Sequence, residues 1–88
     1  MHLNKKEFSK ATVHYPLTSG EALKMVRELQ GFSQNDLVHL TGISQSNISA
    51  LENNITHLGK ERALVLAKVL RVHPAVLLFP DFDMKQVA

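Results

Sequence analysis

The chain has 88 residues with 44% apolar and 20% charged side chains, the balance of a small water-soluble globule with a single core. It is too short to pair a dinucleotide-binding fold with a substrate domain. With no cysteine it excludes disulfides, thiolate metal sites and cysteine nucleophiles. The formal charge of +2 is only mildly basic.

In chain order, residues 1–17 read as a polar, basic arm carrying Lys5, Lys6 and Lys10, with Thr12-Val13-His14-Tyr15 alternating like a short edge strand that Pro16 ends. No apolar run follows the lysines, so the arm does not read as a signal peptide. A dense series of helix punctuation fills residues 18–80. Thr18 and Glu21 have capping-box spacing; Ala22, Met25, Val26 and Leu29 recur at helical intervals, and Gly31 supplies a left-handed stop. A second helix starts at Ser33, with Asp36 three residues on, and stops at Gly42. A third starts at Ser44, buries Ile48 and Leu51, and fades at Asn53-Asn54. A longer helix is expected from Gly59 to Arg71, striped by Ala63, Leu66, Ala67 and Leu70. Pro74 suits the first turn of a last short helix over Ala75–Phe79. Residues 81–88 form a short tail. The expected fold is therefore all-α, five helices preceded by an arm.

Chemistry concentrates where the second and third helices meet through Thr41-Gly42-Ile43-Ser44, a glycine-centred turn of helix-turn-helix length. At about 100° per residue, Gln45, Ser46, Ser49, Ala50 and Asn53 share an arc of about 140°, while Ile48 and Leu51 point away from it. Amides and hydroxyls bond base edges, and the alanine methyl suits a thymine methyl. The helix starts at Ser33 and Ser44 offer N–H groups to phosphate, and Gln34 is placed to bridge to a nucleic-acid backbone. Glu52 reads as structural, a partner for a helix end or for Arg27. No two of the five histidines stand three or four residues apart, so no metal site is expected. A Ser–His–acid arrangement is equally lacking, and neither catalysis nor a cofactor is implied.

Gly31-Phe32-Ser33-Gln34, Leu37, Gly42-Ile43-Ser44, Ile48-Ser49 and Leu51-Glu52-Asn53 together resemble the signature of the lambda-repressor-like Cro/CI (XRE) helix-turn-helix family. The resemblance implies a five-helix lambda-repressor-like DNA-binding domain and a double-stranded DNA partner. Positions matching Gln45, Ser46, Ser49 and Ala50 would touch bases. Those matching Gln34, Ser44, Asn47, Asn53 and Lys60 would touch the sugar-phosphate backbone. More narrowly, Leu58-Gly59-Lys60-Glu61-Arg62-Ala63 and Val72 to Pro80 resemble HigA-like antitoxins of type II toxin–antitoxin pairs, which implies a small toxin partner and repression of the chain's own operon.

Departures from that pattern include Val38 at the tight helix crossing, Asn54 in place of a glycine, and Leu58-Gly59 in place of Pro-Ser. Charge is the largest: Gly31 to Gly59 contains no lysine or arginine, although Asp36 and Glu52 are present. Since phosphate neutralisation drives DNA affinity, cations must come from Lys60, Arg62, Lys24, Arg27 or the arm, and a homodimer is expected on a near-palindromic operator. Leu77, Leu78 and Phe79 are the candidate dimer contacts. A protein-interaction module with a degenerate helix-turn-helix is the competing reading. Without an 18-residue apolar run, no membrane partner is expected, and a cytoplasmic location fits a chain free of cysteine.

Overall fold

A computed structural model describes residues 17–81. Five helices follow one another: α1 Ser19–Leu29, α2 Gln34–Thr41, α3 Gln45–Glu52, α4 Lys60–Leu70 and α5 Pro74–Leu78. No strand occurs among the described residues, and none of their helices is long and apolar enough to cross a membrane. The arm with its suggested strand at Thr12–Tyr15 lies outside the described residues, as do His2, His14 and Phe82.

Each boundary follows from local chemistry. Thr18 caps α1: its hydroxyl accepts from the Glu21 N–H, and the Glu21 carboxylate accepts from the Thr18 N–H at 2.9 Å. Ser33 and Asp36 repeat this reciprocal box at α2, with the Ser33 N–H donating to Asp36 at 2.7 Å. Both carboxyls are held below their ordinary pKa, chiefly by that backbone donor and then by the hydroxyl. Ser44 caps α3 by accepting from the Asn47 N–H. Gly42, at φ 78°, ends α2 in a left-handed turn that a Cβ would disfavour.

Both ends of α4 and both ends of α5 differ from expectation by a residue each. Gly59 is extended, so α4 begins at Lys60, and Arg71 turns left-handed at φ 59°, so it ends at Leu70. Proline's fixed φ places Pro74 inside α5 as its first residue, with His73 Nδ1 accepting from the Ala75 N–H as cap, while Phe79 leaves the helix.

The core lies between these helices. Leu23, Leu37, Ile48, Leu51, Leu66, Leu70 and Leu77 are its large, fully buried members, one or two from every helix. Leu77 was expected at a dimer contact; it belongs to this core instead, because α5 packs on α1 and α4 and its inward face must be apolar. Leu78 is half-buried against the same core, and only Phe79 of the three stands largely in solvent. Val38, at the crossing of α2 on α3, is half-buried against the core.

Candidate nucleic-acid interface

Alternation along α3 divides it into two faces. Ile48 and Leu51 are buried, which pins the helix, while Gln45, Ser46, Asn47 and Asn53 are exposed and Ser49 and Ala50 half-buried. The outward face therefore carries amides, hydroxyls and one methyl, with no charge of its own. Ser44 is exposed at the start of α3, Gln34 half-buried at the start of α2, and Lys60 exposed at the start of α4.

Beneath this face sits a buried ion pair. Arg27 Nε donates to Glu52 Oε2 at 2.6 Å and Nη2 to Oε1 at 3.0 Å, a two-pronged contact between α1 and the end of α3. Nη1 donates to the Phe32 carbonyl at 2.9 Å, so the α1–α2 turn is tied to the same guanidinium. Arg27 is 8% and Glu52 5% exposed, burial that charge tolerates only because every prong is bonded. The bonds from Glu52 raise the Arg27 pKa above its already high ordinary value. Glu52 is thus a structural residue, as its pairing with Arg27 in the sequence reading anticipates.

From the ion pair a chain of hydrogen bonds reaches the surface. Gln34 Nε2 donates to Glu52 Oε1 at 3.0 Å, and Gln45 Nε2 donates to Gln34 Oε1 at 2.8 Å. Gln45 retains its carbonyl oxygen and a second N–H, which suffices for a bidentate contact with adenine. Further along, Asn53 Nδ2 donates to the Ser49 carbonyl at 2.9 Å and lies 3.3 Å from its hydroxyl. Ser44 and Ser46 hydroxyls are 3.4 Å apart. A polar recess lined by Arg27, Ser33, Gln34, Asn35 and Gln45 opens beside the α2 start.

Three contacts were not anticipated from the sequence. The Gln34–Gln45 bond is one; its signal was that both residues directly follow an N-cap on either side of the same turn. Gly20 is another. A Cβ there would collide with the Leu51 carbonyl oxygen and come within 2.7 Å of that of Glu52, so α1 can cross the end of α3 only with glycine at this point. Asn54 is the third. At φ 59° it takes the left-handed turn usually given to glycine, and its side chain accepts from the Gly20 N–H at 3.2 Å and donates to the Thr18 hydroxyl at 3.0 Å. One amide thereby joins the end of α3 to the start of α1.

The helix-turn-helix family (HTH_3) matches residues 23–77, well over half of the chain. The chain belongs to this family. Its fold is similar to that of the P22 c2 repressor protein solved with a synthetic operator, at 31% identity and TM-score 0.67 over 73% of this chain and 97% of that one. Similar too is the restriction-modification controller protein C.AhdI from Aeromonas hydrophila, with 27% identity and TM-score 0.66 over 70% and 94% of the two chains. The N-terminal DNA binding domain of SinR from Bacillus subtilis, at 24% identity and TM-score 0.66 over 74% and 96%, shares the fold. No curated relative matches the chain. The described residues of this helix-turn-helix chain thus form an all-α, lambda-repressor-like domain.

Proposed function

We propose that the chain is a dimeric, sequence-specific DNA-binding repressor, and that it is the antitoxin of a type II toxin–antitoxin pair repressing its own operon. The observation that carries the DNA-binding reading is the fixed, uncharged ridge of α3, whose leading amide is held through Gln34 by the buried Glu52. Gln45, Ser46, Ser49 and Ala50 meet base edges in the major groove. Gln34, Ser44, Asn47, Asn53 and Lys60 meet the sugar-phosphate backbone, the first two at helix N-termini where N–H groups face the anion. Pre-positioning matters here: a glutamine already bonded in place loses little rotamer freedom on docking. Binding to operator by the P22 c2 repressor, with the same fold, supports this reading.

Dimerisation supplies what one subunit lacks. Met25, Val76 and Phe79, at 45%, 40% and 63% exposure, border an apolar groove of about 300 Å³ between α1 and α5 that a second copy covers. Phe79 is the anchor of this contact, and Leu78, half-buried against the core, joins it at the edge. A two-fold pair sets the α3 helices about 34 Å apart, one helical turn of duplex, and so selects a near-palindrome. The antitoxin role rests on the Leu58–Ala63 and Val72–Pro80 resemblance. A gel shift tests the reading: the purified protein retards its own upstream region, more weakly as salt rises, and co-purifies with the product of the adjacent gene. The absence of lysine and arginine from α2 and α3 favours a second reading, a protein-interaction module, and failure to shift that fragment at any salt selects it.

A further inference from the structure

A second groove lies away from the reading ridge. Phe32, Leu40, Val65 and Val69 form its apolar floor and walls between the ends of α1 and α2 and the outer side of α4, and Lys68 and Arg71 stand on its rim, around a volume of about 780 Å³. Leu40 is 53% and Val65 43% exposed, so the apolar surface is open rather than a fissure of the core. Neither α3 nor the starts of α2 and α4 contribute a lining residue, and no acidic side chain does. The two cations lie at the C-terminal end of α4, where they offset its dipole; that accounts for their sign but not for the exposed leucine and valine beside them.

We infer that this groove is the docking site for the toxin, and that it takes an acidic amphipathic segment of that partner: apolar side chains on Leu40 and Val65, carboxylates on Lys68 and Arg71. The inference rests on the antitoxin reading above and names the surface it uses. Charge decides among occupants. A second copy joined two-fold through this groove would set one cation-bearing, acid-free lining against another, with no carboxylate in either to pair Lys68 or Arg71. Duplex DNA would satisfy the rim but leave the apolar floor uncovered. An acidic, apolar-faced segment satisfies both. Because α3 lines none of the groove, toxin and operator occupy the chain together.

The test is co-expression of the adjacent gene's product with the full chain, followed by binding titration and gel shift. Wild type is expected to form a stable complex that further retards the operator fragment. In the double variant Lys68→Glu/Arg71→Glu the complex is expected to weaken about tenfold or more, as like charges now face each other, with the operator shift unchanged. Val65→Arg, which blocks the floor and leaves the cations in place, is expected to do the same; circular dichroism on both shows whether each folds, and either one folded suffices. Undiminished toxin binding by the folded variants overturns the groove assignment and leaves the antitoxin reading standing. Loss of operator binding together with toxin binding also overturns it, since the groove would then belong to the DNA surface. Absence of any complex with wild type defeats the antitoxin reading itself.

Discussion

The outward ridge of α3 and the surface around α4 and α5 meet solvent in different ways. On the ridge Ile48 and Leu51 are wholly inside, and what faces out is polar apart from the Ala50 methyl, with Gln45 held by hydrogen bonds that trace back to a buried ion pair. In the second, Leu64, Val65, Val76 and Phe79 stay partly or largely exposed, alongside Lys60, Lys68 and Arg71. A surface of directional, uncharged donors and acceptors suits the base edges of a duplex. A surface of open apolar patches with cations at their edges suits other polypeptides. The proposed reading gives recognition of sequence to the ridge and assembly to the apolar surface, which Met25 and Leu40 extend onto α1 and α2.

Four substitutions or conditions probe that division, in order of expected size. Glu52→Ala strikes the base of the polar ridge. It strands the Arg27 guanidinium in the interior, and chemical unfolding should show a loss of about 3–5 kcal/mol; a change under about 1 kcal/mol would mean that the ion pair does not hold α1 to α3. Gly20→Ala comes next. Its methyl meets backbone oxygens of Leu51 and Glu52 rather than a movable side chain, so α1 must shift, at a cost of about 1–3 kcal/mol in the same assay. Wild-type stability for this variant would contradict the close crossing. Asn54→Gly keeps the left-handed turn available and removes only the amide bridge to Thr18 and Gly20. About 1 kcal/mol should be lost, whereas Asn54→Ala should lose more because it adds the left-handed strain.

The smallest effect concerns acid. Glu21 and Asp36 have pKa values lowered by their capping bonds, from ordinary values of 4.5 and 3.8. A lowered value means that the folded state favours the charged form. Their contribution is therefore complete above the ordinary values and fades as pH falls through the lower folded ones. Melting curves of Glu21→Gln and Asp36→Asn should lie below wild type at neutral pH and converge on it in strong acid. Parallel curves at all pH would show that the carboxylates do not cap.

Much of this was readable from the residues alone, for reasons that differ by element. Helix starts were legible because Thr18, Ser33 and Ser44 are local signals acting over three residues. The inner and outer faces of α3 followed from periodicity, since Ile48 and Leu51 leave only one stripe for burial. Gly20 and Asn54 were not legible in their roles, because each acts across more than thirty residues, on a partner brought near only by the packing of α1 on α3. Leu77 was assigned outward for the opposite reason. The run Leu77-Leu78-Phe79 is apolar throughout, and in a five-residue helix no polar position marks which side faces in.

Specific recognition turns on whether the α3 ridge reads bases. The direct measurement is a fluorescence-anisotropy titration of wild type and Gln45→Ala, at one fixed salt concentration, on the chain's own upstream fragment and on a scrambled duplex of equal length. The account predicts that Gln45→Ala loses about 1–3 kcal/mol on the upstream fragment and nothing on the scrambled one. Equal affinities of the two proteins on both duplexes would contradict it.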